Sequence, residues 1–407
     1  MNADRTEKDM RGPRVRLGLV KTVLYSLLPL VALVVGVESA ARVVEAVRPP
    51  ILVDIGMSFS PESRLFVPST LLPGWMMTSP TKAVPHPKAA HLPQWVQRLS
   101  ETVPFQWQTF PIAKGTDTFR VFVVGESSVN YARAPFEDAL WGLKDVSSRQ
   151  KIEVINAGGC GYGSTRLLGV VQEILSYAPD AVLLYIGHNE SEEEFERQQT
   201  SWLSSAAQRV LWKSAAMRLA RDTMAARTLR KLYEDDEKQD AGAEIKHRDL
   251  EDRRQSRGEV EGQMEGFRRN VEAMIEACRK KAVPIVLGTI PSNLWKPDLA
   301  ALELARYERE VLPLYAAGEH AKGMQAAQEI LCWAPRHQSS ALENGVLREL
   351  AKQWELPLAD VEARVIAAEP HGVPGETLFA DHCHLNGAGN EILAEVYAEE
   401  VRALLSD

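Results

Sequence analysis

The hydrophobic positions of this chain fall into short runs that alternate with stretches of helical periodicity. The runs are rich in valine, isoleucine, leucine and phenylalanine and are bounded by glycine, proline or asparagine. Runs of this length and composition are typical of strands buried on both faces of a parallel sheet. Helical periodicity fills the intervals 167–177, 267–280 and 347–354. This alternation predicts an α/β fold with three layers, a parallel sheet and right-handed crossovers. The predicted strands are 119–124, 152–155, 181–186 and 283–287, with 356–361 as a weaker fifth.

A longer apolar run covers residues 17–37 and follows a basic N-terminus. Only Lys21 and two mildly polar residues interrupt it, and about 20 residues of helix are enough to cross a hydrocarbon core of roughly 30 Å. A cleaved signal peptide and a buried core helix are the alternatives, but the apolar core of a signal peptide is usually shorter. The run therefore predicts a transmembrane anchor.

The charges on either side of this run predict its orientation. Five Lys or Arg residues lie within 1–16, against two within 38–54. By the positive-inside rule, residues 1–16 would be a cytoplasmic N-terminus and the chain after the anchor would lie outside the cytoplasm. We therefore expect a single-pass membrane protein whose catalytic domain is extracytoplasmic, in the periplasm if the cell is Gram-negative.

The rest of the chain divides by composition. Residues 38–115 are rich in proline and turn residues, which predicts an irregular lead-in segment. Residues 116–407 hold all the predicted strands, and we interpret them as one domain with helical insertions at about 191–264 and 298–345. The first insertion is highly charged, which favours a solvated insertion over the alternative of a cap above the active site.

The second insertion contains a stretch, 315–335, that is similar to part of a tetratricopeptide-type helix pair. A single repeat has no neighbours against which to bury its faces. We therefore interpret it as decoration, with docking of a protein partner as an alternative use.

Composition narrows the classes of function. Hydrophobic residues make up 45% and charged residues 25% of the 407 positions, which excludes a wholly disordered or fibrous chain. A net charge of −8 offers no basic field for nucleic acid, and a mean hydropathy of −0.21 excludes a polytopic membrane protein.

Four cysteines are too few for a disulfide scaffold. Outside the cytoplasm they could pair in three ways, and buried free thiols are the favoured alternative; they are Cys160, Cys278, Cys332 and Cys383.

Polar motifs follow the first two predicted strands, at the sheet edge where functional loops of parallel sheets collect. Ser127 comes after Gly125 and Glu126 at a strand-to-helix turn, where a serine hydroxyl can project as a nucleophile. A helix N-cap is the alternative role for such a serine. The glycine-rich stretch 158–163 lets backbone N–H groups approach a ligand, and it lacks the lysine of a phosphate-binding Walker loop.

Two further motifs carry an amide and an imidazole. Gly187-His188-Asn189-Glu190 follows the third strand, and Asn189 could donate to a developing oxyanion or, alternatively, cap a helix. Near the C-terminus, Asp381 and His384 are three residues apart, so the carboxylate can orient the imidazole. A metal site at His382, Cys383 and His384 is the alternative, but no second ligand cluster supports it.

Taken in this order, the four motifs resemble the SGNH/GDSL hydrolase superfamily. The resemblance spans residues 118–404 and rests on 125–127, Gly161, 187–190 and 381–384. It implies a flavodoxin-like three-layer α/β sandwich and a serine hydrolase that needs no metal or organic cofactor.

The resemblance also implies a role for each site residue. Ser127 would be the nucleophile, His384 the general base, and Asp381 the carboxylate that orients His384. The backbone N–H groups of Ser127 and Gly161, with the side chain of Asn189, would form the oxyanion hole.

Two departures from the family pattern stand out. Glu126 and Glu190 occupy positions where the family usually has aspartate. Both keep the charge on a longer arm, which leaves the contacts of these two carboxylates open. The helical insertions look like those of a bacterial, membrane-anchored subgroup.

On these grounds we expect a serine esterase or deacylase that removes an acyl or acetyl group from an envelope glycan or lipid through an acyl-enzyme. One alternative is an acyltransferase that uses the same triad. Another is a non-catalytic envelope scaffold that binds partners through its helical insertions.

Overall fold

The computed structural model describes residues 12–47, 64–69, 72–78, 105–145, 151–194, 214–217, 219–220, 250 and 253–406. The chain divides into two compact units, Met1–Ile51 with Ser205–Leu229 and Leu52–Ser204 with Arg230–Asp407. The first holds the N-terminal apolar run, and the second holds the predicted sheet.

The N-terminal apolar run lies in a single helix, α1 (Gly12–Val47). Its window Tyr25–Val44 has a mean hydropathy of 1.9 and is only 6% buried, so by length and composition this helix could cross a membrane. A signal sequence shares these properties.

The lead-in segment was expected to be irregular, but it contains a small antiparallel sheet. Its strands pair in chain order and are β1 (Phe66–Pro68), β2 (Trp75–Thr78) and β3 (Thr109–Pro111). Edge-on aromatic contacts tie it to the rest of the unit, since the ring of Phe110 lies 5.8 Å from that of Phe122 and 5.5 Å from that of Tyr177. Within the small sheet, the rings of Phe110 and Phe66 lie 5.0 Å apart. Strands of three or four residues show too little alternation for a sequence pattern to reveal them.

Five parallel strands form the central sheet. They are β4 (Thr118–Gly125), β5 (Lys151–Gly158), β6 (Ala181–Tyr185), β7 (Ile285–Gly288) and β8 (Leu358–Ala359). Their spatial order is β5-β4-β6-β7-β8, the 2-1-3-4-5 order of flavodoxin-like folds. The predicted α/β class and its five parallel strands are therefore confirmed. The register places Gly125 opposite both Gly158 and Tyr185, so the three strands that carry the first motifs end at one level.

Helices cover the sheet in two groups, and the helices within each group contact one another. These two groups and the sheet are the three expected layers. Within the described residues, the helices of this unit include α2 (Ser127–Tyr131), α3 (Arg133–Trp141), α4 (Ser164–Ile174), α5 (Arg257–Lys280), α6 (Ala301–Glu310), α7 (Leu312–Ala316), α8 (His320–Trp333), α9 (Ala341–Trp354), α10 (Val361–Ala368) and α11 (Gly387–Ser406). One group is α3, α10 and α11, and the other is α4, α5 and α9. Helix α5 starts ten residues before the predicted 267 because Ser256 and Glu259 form a capping box.

Helices α6, α7 and α8 form most of the second insertion and have an apolar core of their own. Its buried members include Tyr307, Val311, Tyr315, Ile330 and Leu331. Gly323 lies against the Tyr315 ring so closely that a Cβ there would come within 2.4 Å of a ring atom. Helix α9 instead packs into the main core through Leu347 and Leu350. Helix α9 thus belongs to the main core, although its first residues fall within the expected insertion of about 298–345.

Of the first insertion, the structure describes 191–194, 214–217, 219–220, 250 and 253–264. The rest of it, and with it the choice between a solvated insertion and a cap, lies outside the described residues. All four cysteines are free thiols, and three of them are buried.

Candidate active site

Ser127 is the first residue of α2, two positions after β4 ends at Gly125. The turn between them is tight, because a Cβ on Gly125 would lie 2.3 Å from the carbonyl oxygen of Tyr185 and 2.4 Å from a methyl group of Val129. Only glycine fits this approach. The turn brings the Ser127 hydroxyl to 2.7 Å from Nε2 of His384.

His384 and Asp381 lie in a short loop closed by the antiparallel bridge between Phe379 and Leu385. Nδ1 of His384 is 2.7 Å from Oδ2 of Asp381. The other carboxylate oxygen accepts the backbone N–H groups of His384 and Cys383, at 2.7 and 2.8 Å. Burial raises the pKa of Asp381, but these hydrogen bonds outweigh it and hold that pKa well below its usual range. The carboxylate therefore stays ionised and fixes the proton of His384 on Nδ1.

The structure thus brings Ser127, His384 and Asp381 into one continuous chain of hydrogen bonds, although 257 positions separate the serine from the histidine. With its proton on Nδ1, the imidazole presents a free lone pair on Nε2 to the serine hydroxyl. This is the arrangement that a serine nucleophile and its general base require.

Gly161 and Asn189 follow β5 and β6, the two strands that flank β4. Gly161 has φ of +73°, a conformation that favours glycine, and its carbonyl accepts a hydrogen bond from Arg166 at 2.7 Å. The buried Asn189 side chain donates to the carbonyl of Tyr162 at 3.3 Å, which joins its loop to the glycine loop. Both predicted oxyanion donors therefore lie at the sheet edge that also carries Ser127.

Glu126 is fully buried beneath this edge and binds the backbone of the 187–189 loop. Oε1 accepts the N–H groups of Gly187 and Asn189 at 2.9 and 3.1 Å, and Oε2 accepts that of His188 at 2.8 Å. Burial raises the pKa of Glu126 to about 8, even though these three donors favour the ionised form. The longer arm of glutamate is thus used to tie the serine turn to the asparagine loop.

Glu190 has a different task from Glu126. Its carboxylate accepts the backbone N–H and the hydroxyl of Ser164, both at 2.7 Å. Glu193 accepts the next two backbone N–H groups, those of Thr165 and Arg166, at 2.8 and 3.0 Å. Burial raises the pKa of both carboxyl groups. Together they cap the first turn of α4 and so hold the glycine loop that precedes it.

Sequence reasoning missed a supporting segment, residues 105–108. The side-chain amide of Gln108 clamps the backbone of Asn156 in β5, accepting its N–H at 3.0 Å and donating to its carbonyl. Gln106 donates to the carbonyl of Asn130 in α2 at 2.6 Å. The lead-in therefore braces both the glycine-loop strand and the serine helix, and no sequence signal beyond the polar residues among aromatics could have indicated this.

The alternative of a metal site at His382, Cys383 and His384 falls in the same loop. Ligand atoms of Asp381, His382 and Cys383 lie within 4.8 Å of one another. Both carboxylate oxygens of Asp381 are already hydrogen-bonded to His384 and the loop backbone. Burial and the nearby Asp381 raise the pKa of the Cys383 thiol.

His188 has a structural role that the sequence did not predict. Its Nδ1 accepts the backbone N–H of Ser339 at 3.1 Å, and burial lowers its pKa well below the usual range. A neutral His188 thus links the asparagine loop to the residues just before α9.

The chain was compared with family models, curated proteins and solved structures. No family model matches the chain, and no curated protein matches it. Among solved structures, it is similar to a GDSL-like lipase from Bacteroides thetaiotaomicron, with 11% identity and a TM-score of 0.39 over 72% of this chain and 93% of that one. It is also similar to the acetyl xylan esterase AlAXEase (16% identity, TM-score 0.38, 69% and 99% covered) and to a lipase/acylhydrolase from Enterococcus faecalis (14%, 0.36, 70% and 96%). At these identities and TM-scores the likeness assigns no activity to this chain.

Proposed function

We propose that this protein is an SGNH/GDSL-type serine hydrolase that cleaves carboxylic esters through a covalent acyl-enzyme. The observation that carries the proposal is the continuous hydrogen-bonded chain from Ser127 through His384 to Asp381, with 2.7 Å at each step. The flavodoxin-like strand order and the four motifs in family order support the same assignment.

In the first half of the reaction, Oγ of Ser127 attacks the ester carbonyl carbon while its proton moves to Nε2 of His384. The tetrahedral intermediate then collapses, the bond to the alcohol oxygen breaks, and His384 gives the proton to the leaving alkoxide. In the second half, water attacks the acyl-serine and loses a proton to His384. That proton returns to Ser127 as the acid leaves. Asp381 stays ionised throughout and stabilises the imidazolium.

The negative charge on the intermediate needs donors that are already in place. The backbone N–H groups of Ser127 and Gly161 and the side-chain amide of Asn189 would supply them. Removal of one such donor typically lowers the rate about 100- to 1,000-fold. The contacts of Glu126 and Glu190 hold the loops that carry these donors.

The substrate and location are further parts of the proposal. Helix α1 would anchor the protein in a membrane, and the excess of basic residues before it supports an extracytoplasmic location for the hydrolase. The accessible esters there are acyl or acetyl groups on envelope glycans and lipids.

Release of p-nitrophenol from p-nitrophenyl acetate by the purified full-length chain tests the assignment. We expect turnover by the wild type and a loss of at least about 1,000-fold in Ser127→Ala and in His384→Ala. Ser128→Ala is the matched control, because Ser128 is the adjacent serine and its buried hydroxyl has no hydrogen-bond partner within the described residues. Equal turnover by wild type and Ser127→Ala would refute the proposal.

A further inference from the structure

Tyr131 is a large aromatic residue that remains exposed at the edge of the proposed active site. It is the last residue of α2 and lies four positions after Ser127, so both side chains are on the same face of one helical turn. Its neighbours Asn130 and Ala132 are buried, yet 58% of Tyr131 is exposed. A single exposed aromatic residue is ordinary on a protein surface; what sets this ring apart is its place, one helical turn from Ser127.

The contacts of this ring place it between two of the motifs. Its centroid lies 5.0 Å from that of the His384 imidazole, at a tilt of 56°. Its hydroxyl lies 3.9 Å from Sγ of Cys160, the residue before Gly161. Tyr131 therefore lies close to Ser127, with its ring beside the histidine loop and its hydroxyl beside the glycine loop.

The reaction itself identifies which part of an ester would meet this ring. The proton on Nε2 of His384 must reach the alcohol oxygen, so that oxygen comes within hydrogen-bonding distance of the imidazole. The acyl carbonyl oxygen points instead to the donors at Gly161 and Asn189. A ring packed beside His384 consequently faces the alcohol part of the ester rather than the acyl part.

The chemistry of the ring favours a particular alcohol. Burial of the hydroxyl and the nearby Cys160 raise the pKa of Tyr131 to about 12, so the phenol is neutral at working pH. It offers an apolar face with a polar tip, which matches a sugar ring with its C–H faces and its rim of hydroxyl groups. Trp107 is a second exposed aromatic residue, and its backbone carbonyl accepts a hydrogen bond at 3.2 Å from Arg133, the first residue of the next helix, α3.

We infer that Tyr131 is a specificity-determining residue that stacks on the sugar ring whose hydroxyl carries the ester, so that the substrates are O-acylated carbohydrates. This inference rests on the proposed hydrolase function. A lipid with a simple alcohol part would gain nothing from this ring.

Two esters with the same acyl group and different alcohols test the inference. We would measure acetate release from glucose pentaacetate and from ethyl acetate by the purified full-length protein. The wild type should prefer the sugar ester by at least about 10-fold in kcat/KM. Tyr131→Ala should lower the ratio of the two values by about 10-fold, the effect expected from loss of one stacked ring. Tyr131→Phe should keep most of the preference because the ring remains.

The matched control is Trp141→Ala, another exposed aromatic residue, at the far end of α3. It should leave the ratio as in the wild type. Equal values for the two esters in the wild type, or an equal loss on both in Tyr131→Ala, would overturn the sugar assignment and leave the hydrolase standing. No acetate release from either ester, together with a Ser127 that resists fluorophosphonate, would overturn the hydrolase itself and the inference with it.

Discussion

Oε1 of Glu126 lies 3.1 Å from the backbone nitrogen of Asn189, so the residue next to the proposed nucleophile holds the loop of the proposed oxyanion donor. The same carboxylate binds the two preceding backbone N–H groups. A single buried side chain thus fixes the spacing between two of the four motifs. Catalytic geometry of this kind is sensitive to displacements of about 1 Å, which can cost roughly 100-fold in rate.

Above the pKa of about 8, where Glu126 is ionised, Glu126→Gln replaces an acceptor oxygen with an amide N–H₂ that would face backbone donors. We expect kcat to fall about 10- to 100-fold and the free energy of unfolding to fall by about 1–3 kcal/mol. Steady-state kinetics and urea denaturation measure the two effects. Glu173→Gln is the matched control. The Glu173 carboxylate also accepts backbone N–H groups, those of Leu65 at 2.7 Å and Phe66 at 2.8 Å, but within the described residues it does not contact the serine turn. It should lose stability with kcat unchanged; a similar fall in kcat for both variants would contradict the positioning role of Glu126.

Asn189→Ala removes one donor to the oxyanion. The expected result is a decrease in kcat of about 100- to 1,000-fold with a small change in KM, since the donor acts on the transition state. Asn270→Ala serves as the control, because the Asn270 amide binds the hydroxyl of Ser164 at the start of α4. A KM effect without a kcat effect in Asn189→Ala would place this amide in ground-state binding instead.

Gly161→Ala tests the backbone of the glycine loop. A Cβ on Gly161 meets nothing within 4 Å, so the cost comes from φ of +73° alone. We expect a loss of about 1–2 kcal/mol in the free energy of unfolding and a fall in kcat as the loop shifts. Gly169→Ala, in the middle of α4 with equal room, should raise stability by about 0.5–1 kcal/mol. Equal effects of the two substitutions would show that the left-handed conformation is not required.

Ionisation of Asp381 makes the free energy of unfolding depend on pH. Because the folded state lowers the pKa of this carboxyl group, the ionised form adds stability above the unfolded pKa of about 3.9, and that stability is lost as the pH falls below it. This contribution to the free energy of unfolding is about 1 kcal/mol, because the Asp381 side chain is 44% exposed and solvent screens its interactions. The stability difference between wild type and Asp381→Asn, from denaturation curves, should be constant above about pH 5 and shrink below about pH 4. A difference that grows on acidification would contradict the hydrogen-bonding pattern.

The elements that the sequence predicted best are those whose signal is local. Strands such as 119–124 are buried on both faces, so they appear as uninterrupted apolar runs, and the loops that follow them hold the motif residues. Ser127, His384 and Asp381 do lie together; their catalytic roles remain predictions.

The features that the sequence did not predict depend on contacts between distant residues. The strands β1 to β3 are too short to show a period, and they exist because Phe110 packs among aromatic rings from other elements. The clamp of Gln108 on Asn156 joins positions 48 residues apart. The separate roles of Glu126 and Glu190 could not be predicted either, because each is a glutamate at a position where the family usually has aspartate. Only the fold shows which backbone N–H groups each carboxyl group binds.

Labelling with a fluorophosphonate probe, followed by peptide mass spectrometry, tests the central claim most directly. The probe reacts with a serine only when a base and an oxyanion hole activate it. We predict one phosphonyl adduct, on Ser127 and not on the adjacent Ser128, and its loss in Ser127→Ala and His384→Ala but not in Ser128→Ala. An unlabelled wild-type protein, or an adduct that persists in Ser127→Ala, would contradict the assignment of Ser127 as the nucleophile.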